Sequence, residues 1–227
     1  MKQVEARKKQ AQKILQILAR KNPHPATELV FATPWQLLVA TVLSAQSTDK
    51  QVNKVTKKLF LEYPGPEEMA ALTPEELAKK IKTLGLYRTK SKNLVATAQI
   101  ILEKFGGQVP KTREELESLP GIGRKTANVI LANAFGIPAL AVDTHVFRVA
   151  NRTGLAAAKN PLETEKQLTQ IIPQAIWSKA HHWLILHGRY ICTARSPKCH
   201  ICPIYEYCRY EAKKAPQEDK TKKTGKR

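Results

Sequence analysis

The sequence predicts an all-α protein of about ten short helices joined by short turns. Three observations predict it. Apolar residues recur at helical spacing, helix-start signals repeat along the chain, and long strand-like alternation is absent. Ile14, Leu15, Ile17 and Leu18 lay an apolar stripe on an N-terminal helix that ends before Pro23. Thr33-Pro34 reads as a cap followed by proline at the first helical position, with Leu37, Leu38, Val42 and Leu43 behind it. Thr48 or Asp49 caps a helix carrying Val52, Val55 and Leu59. Thr73-Pro74-Glu75-Glu76 is a capping box, and Gly85 is placed to end its helix. A further helix runs from about Leu94 to Phe105 and stops at Gly106-Gly107. Thr112-Arg113-Glu114-Glu115 is a second capping box, and Asn160-Pro161-Leu162-Glu163 repeats the start signal. The run His181-His182-Trp183-Leu184-Ile185-Leu186-His187 reads as a mostly buried helix.

Charge narrows the partner. The 227 residues suffice for one large domain or two small ones. They carry 38 Lys and Arg against 19 acidic residues, a formal net charge of +19, which points to a polyanion. An anionic membrane is not supported, because no apolar run approaches the roughly 18 residues of a span. The most apolar stretch, residues 129–142, is broken by Asn133, Gly136 and Pro138. The N-terminus has no secretory apolar core, so a cytoplasmic protein is expected. Residues 212–227 hold seven Lys or Arg and two acids without large apolar residues, and read as a disordered basic tail.

The most specific turn lies between two helices. Leu116-Glu117-Ser118-Leu119 ends one, Pro120-Gly121-Ile122-Gly123 turns, and Arg124-Lys125-Thr126-Ala127-Asn128 opens the next. Gly121 and Gly123 permit positive φ and close backbone approach, while Ile122 tucks between the helices. The turn's amides and the new helix N-terminus then face outward, where a phosphate sits. A plain helical hairpin is the competing reading.

The four cysteines are Cys192, Cys199, Cys202 and Cys208, with six, two and five residues between successive members. Two disulfides do not suit a cytoplasmic chain. Four thiolates within 17 residues suit a tetrahedral all-thiolate site. One short knuckle with wider arms favours an iron–sulfur cluster over zinc, and zinc stays open on spacing alone. The loop is also basic, with Arg189, Arg195, Lys198 and Arg209.

Taken together, the segments 43–49 (Leu-Ser-Ala-Gln-Ser-Thr-Asp), 119–127 (Leu-Pro-Gly-Ile-Gly-Arg-Lys-Thr-Ala) and 142–145 (Val-Asp-Thr-His), with the cysteine loop, resemble the endonuclease III family. These are the bifunctional pyrimidine-damage DNA glycosylases of the helix-hairpin-helix superfamily. The resemblance runs from about residue 12 to 210. It implies two helical domains with DNA bound across the cleft between them. One, a six-helix barrel, takes residues 27–137 and holds the hairpin at about 114–134. The other is built from both chain ends, 1–26 and 138–211, and holds a [4Fe-4S] cluster on the four cysteines. The implied partner is double-stranded DNA containing damaged bases or abasic sites, met by a monomer in the bacterial cytoplasm.

The resemblance also implies roles. A damaged base must be flipped out of the duplex, at a cost of a few kcal/mol. Gln46 enters the gap and Leu86 wedges the opposite side; helix capping and ordinary core packing are their respective bland readings. Lys125 attacks C1′, forms a Schiff base with the opened sugar and allows β-elimination 3′ to the abasic site. That requires a free amine, which burial, nearby cations such as Arg124 and a helix N-terminus favour. A phosphate contact is the alternative for Lys125. Asp143 stabilises the cationic sugar and also fits a helix cap. Gly121, Ile122, Gly123 and Arg124 grip the DNA backbone, and Ser44, Glu117 and His145 stand as possible pocket residues. Two rivals compete: a monofunctional adenine glycosylase, which lacks the lysine, and a non-enzymatic hairpin module with structural zinc.

Overall fold

The computed structural model describes residues 2–213. Among these the regular structure is entirely helical, with eleven α-helices and three short 3-10 turns. The chain divides into two compact units, one of Ala26–Ala141 and one of Met1–Pro25 with Val142–Arg227.

The Ala26–Ala141 unit holds α2 (Pro34–Leu43), α3 (Asp49–Glu62), α4 (Pro66–Ala70), α5 (Pro74–Ile81), α6 (Tyr87–Phe105), α7 (Arg113–Glu117) and α8 (Arg124–Ala134). Its start signals act as the sequence suggests. Thr33, Thr48, Thr73 and Thr112 each accept a hydrogen bond from the amide three residues on, so Thr48 and not Asp49 is the cap of α3. Only the Thr73 box closes reciprocally onto the backbone. In the second, the Glu115 carboxylate takes the Thr112 hydroxyl instead. Helix α2 is apolar on every face and is buried on nearly every face, the expected state of a helix with no polar side. Leu38, Leu43, Leu94, Ile101, Leu116 and Ile130 fill the core around it. Each such side chain contributes roughly 1.5–3 kcal/mol by leaving water.

Two element boundaries differ from the sequence reading. α6 starts at Tyr87, a full two turns before Leu94. The extra turns are polar and show no apolar stripe, but they bury Lys90 and Ser91, so tertiary contacts recruit them into the helix. α5 ends at Ile81, and Gly85 lies beyond it in the loop to α6. A Cβ on Gly85 would stand 2.8 Å from the Gln46 carbonyl oxygen, so close backbone approach, not helix termination, explains the glycine. Residues 138–141, expected with the chain ends, cluster instead with the hairpin unit. Ala139 packs in its core, and the buried Asn128 side chain donates to the Leu140 carbonyl at 3.2 Å.

The second unit packs α1 (Lys2–Lys21), α9 (Thr144–Thr153), α10 (Pro161–Ile171) and α11 (Trp177–Tyr190). Asn160 caps α10 and Asp143 caps α9. Ala11, Ile14, Leu15 and Leu18 form the buried stripe of α1. Beyond α11 the chain forms 3-10 turns at Cys199–Ile201 and Tyr205–Tyr207. Ala212 and Lys213, the first residues of the expected tail, belong to this fold. The Lys213 ammonium donates to the carbonyls of Cys208 (2.8 Å) and Tyr205 (3.2 Å). The rest of the expected tail, from 214, lies outside the described residues. No described helix is long and apolar enough to cross a membrane.

Candidate active site and cysteine loop

The hairpin between α7 and α8 is held from within. The Ile122 amide donates to the Leu119 carbonyl at 3.1 Å, and Ile122 is buried between the helices. Thr97 of α6 donates its hydroxyl to the Pro120 carbonyl. Asn128 accepts from Arg113 Nε at 2.9 Å, locking α7 to α8. The two glycines differ. Gly121 has φ +77° and would drive a Cβ to within 2.5 Å of the Asn93 side chain, so both conformation and space demand glycine. Gly123, expected to share positive φ, is extended instead at φ −97°. It is the N-cap of α8, makes no side-chain cap, and a Cβ there would meet no protein atom. The N-cap position of α8 thus carries no side chain, which suits the approach of a phosphate to a helix N-terminus. Arg124 and Lys125 are the first two residues of α8, Arg124 half-buried and Lys125 exposed.

Gln46 and Leu86 lie in two loops of this same unit. They are the only non-glycine residues with positive φ among those described, at 54° and 57°. Both are exposed, Leu86 at 53%, so core packing does not describe Leu86. Gln46 caps neither neighbouring helix, since Ser44 ends α2 and Thr48 opens α3. Ser44 ends α2, half-buried, and its hydroxyl bonds back to the Thr41 carbonyl. Glu117 is the exposed last residue of α7. Lys90 was not legible as a site residue. It is 4% exposed, and its ammonium donates to the carbonyls of Leu43 (2.7 Å) and Ala45 (2.6 Å) and to Ser47 Oγ (3.3 Å). Burial holds its pKa below the ordinary lysine value. No local pattern marks it, because it sits in a polar stretch rich in Lys and Arg.

In the second unit Asp143 is half-buried and its Oδ1 accepts from the amides of His145 (2.9 Å) and Val146 (2.8 Å). The cap reading of Asp143 therefore holds, and it fixes the carboxylate on the first turn of α9. The His145 ring faces Arg148, with Nδ1 3.1 Å from its guanidinium. Its Cβ packs so closely on Gly188 of α11 that a Cβ there would stand 2.9 Å away.

The cysteine loop is strapped by arginines from α9. Arg148 donates to the carbonyls of Cys192 and Gly188, and Arg152 to those of Thr193 and Ala194. Arg152 also approaches Cys192 Sγ at 3.5 Å and stacks on Tyr210. Gln10 of α1 reaches the Tyr207 carbonyl at 2.7 Å. All four thiols are half-buried. Burial, with smaller contributions from the other three cysteines, pushes the Cys202 thiol up to about 11. Burial, with smaller contributions from Cys192 and Cys199, raises the Cys208 thiol as well. Burial disfavours the Cys202 and Cys208 thiolates, and a positively charged inorganic core would offset that cost. Among the described residues no three His, Cys, Asp or Glu side chains converge on a single ion. A cluster spreads its thiolates around a larger core and needs no such convergence. The donor set fits an iron–sulfur cluster.

The fold and these groups define an all-helical, helix-hairpin-helix DNA-binding protein with an iron–sulfur loop. Residues 39–174 match the HhH-GPD superfamily of base excision DNA repair proteins, and residues 192–208 match the iron–sulfur binding domain of endonuclease III. The chain is 50% identical over 200 residues to endonuclease III of Escherichia coli K12, covering 88% of this chain and 95% of that one. It is 52% identical over 188 residues to endonuclease III of Bacillus subtilis 168, covering 82% and 86%. A trapped endonuclease III–DNA covalent intermediate superposes with TM-score 0.86 at 48% identity, covering 89% of this chain and 95% of that one. The chain belongs to the HhH-GPD superfamily of base excision DNA repair proteins, and within it to the endonuclease III family. It is a DNA-binding base-excision enzyme, a DNA glycosylase with AP lyase activity, and carries a [4Fe-4S] cluster.

Proposed function

We propose that this enzyme excises damaged, oxidised pyrimidines from duplex DNA and cleaves the strand through Lys125. The observation that carries this reading is the placement of Lys125. It stands exposed as the second residue of α8, directly after a glycine-flanked hairpin turn whose amides lead into the helix N-terminus. A phosphate held on those amides, with Gly121, Ile122, Gly123 and Arg124 around it, brings a sugar within reach of the amine.

Gln46 and Leu86 enter the duplex where the damaged nucleotide leaves it. The neutral Lys125 Nζ then attacks C1′. The glycosidic C–N bond breaks, and its electron pair leaves on the base, which gains a proton. The amine loses a proton, the sugar ring opens, and a cationic imine forms. A base removes the C2′ proton, and the C3′–O bond breaks with its electrons on the 3′ phosphate. Water releases the imine. The Asp143 carboxylate, oriented by its two amide bonds, stabilises the positive charge that develops on the sugar. Cys192, Cys199, Cys202 and Cys208 would hold the cluster, which would fix the shape of a basic loop. Ser44 and Glu117 remain the pocket candidates. The His145 ring, engaged by Arg148, supports α9 instead. The enzyme acts as a monomer in the bacterial cytoplasm.

Borohydride trapping on a duplex with an abasic site tests this. Wild type gives a covalent protein–DNA adduct, and Lys125→Gln loses it by at least about 10³-fold. An adduct of wild-type yield from Lys125→Gln sinks the assignment. Binding of undamaged duplex weakens steeply with salt in both proteins.

A further inference from the structure

Two loops carry the residues assigned above to the duplex gap, residues 44–48 between α2 and α3 and residues 82–86 between α5 and α6. Their tips, Gln46 and Leu86, both hold left-handed backbone that side chains disfavour. Such conformations persist only where the surroundings over-determine them. Three residues do so here. The Gly85 backbone lies against the Gln46 carbonyl so closely that no side chain fits. Ser47 Oγ accepts from the Gly85 amide at 3.2 Å and so bridges the two loops. Lys90 ties the neighbours of Gln46 to the first turn of α6. Its backbone amide donates to the Leu86 carbonyl at 3.0 Å, while its ammonium holds the carbonyls of Leu43 and Ala45 and the hydroxyl of Ser47. An ammonium has three donors, and these three acceptors match them. The carbonyls sit at or just past the C-terminal end of α2, where the chain presents unpaired acceptors and partial negative charge.

We propose that Lys90 is a positioning residue for base flipping: together with Ser47 and Gly85 it sets Gln46 and Leu86 as one rigid, pre-formed pair. The inference rests on the gap-filling role proposed for those two side chains. Preorganisation removes the cost of ordering two loops at the moment a base leaves the stack. A lysine buried beside a DNA-facing surface thus serves the loops and makes no contact with phosphate.

The test is Lys90→Met, which keeps length and removes the three donors, with Ser47→Ala as a second variant that keeps Lys90. Base release from a duplex with a stacked damaged base and lyase activity on a preformed abasic site are measured side by side. A 2-aminopurine beside the lesion reports unstacking. The expected result is about a tenfold or greater drop in base release, a smaller drop in lyase rate, and weaker unstacking fluorescence. Ser47→Ala shifts the same ratio in the same direction. Equal losses in both activities, or no loss in either, overturn the proposal. If Lys90→Met does not fold, the Ser47→Ala ratio decides alone. Gln46→Ala and Leu86→Ala separate the two readings. Should they leave unstacking intact, the gap-filling role fails and the inference falls with it. Should they abolish it while Lys90→Met and Ser47→Ala do not, only the inference fails.

Discussion

The unit of Ala26–Ala141 holds its functional side chains on helix ends backed by an apolar core, whereas the unit built from the chain ends holds its four cysteines in a loop with little core of its own. In the first, Leu38, Leu43, Leu94 and Ile130 are fully buried, and Lys125, Gln46 and Leu86 project from turns fixed against them. In the second, only Ile204 is buried within residues 192–208. Arginine-to-carbonyl bonds from α9, a glutamine from α1 and the thiol set do the holding. Apolar burial is self-sufficient. The half-buried thiols of Cys202 and Cys208 are not, because burial disfavours their anionic form unless a positive core offsets it. The first unit's site is thus encoded by packing, and the second unit's loop by packing plus a cofactor.

The largest break in that comparison is Cys202→Ala. Loss of a cluster ligand removes binding energy that is also folding energy. We expect a loss upwards of about 5 kcal/mol, confined to the unit of the chain ends. Visible absorbance falls and thermal melting splits in two; a single unshifted transition contradicts it. Leu38→Ala is the counterpart in the hairpin unit. The residue is wholly buried, so the expected cost is about 2–5 kcal/mol by denaturant unfolding, with iron content retained. Iron loss in that variant would show that the two means of support are not separable.

A smaller effect comes from His182 on α11. Desolvation, aided by Arg189, lowers its pKa from 6.5 to about 4. A base with a depressed folded-state pKa stabilises fully above the unfolded value. That stability is lost as pH falls from 6.5 toward about 4, because the unfolded chain takes up the proton first. The full loss is about 3 kcal/mol, and it belongs to the unit of the chain ends. His182→Gln flattens the decline of Tm across that window. An unchanged slope removes His182 as its source.

Much of this was legible along the chain. Thr33, Thr73 and Asn160 act as caps because capping is a contact between residues three apart. Gly121 and Ile122 announced the hairpin because turn conformation is local. Three features were not legible. The start of α6 depends on Lys90 reaching carbonyls more than forty residues away. Gly85 serves a backbone that arrives from another loop. Arg148 and Arg152 look like any solvated charges on a helix until the loop after α11 meets them.

By itself the sequence determined most of the helices, the hairpin, the amine on α8, the cap at Asp143 and the four-thiol loop, each through contacts of a few residues or through donor chemistry. Only the tertiary structure decided what holds Gln46 and Leu86 in left-handed backbone and what straps the cysteine loop. The cysteine loop is settled by arginine-to-carbonyl bonds, and the Gln46 loop by the buried Lys90 ammonium on the carbonyls beside it. A cation is a surface charge in sequence until folding takes it out of water and makes its partners matter.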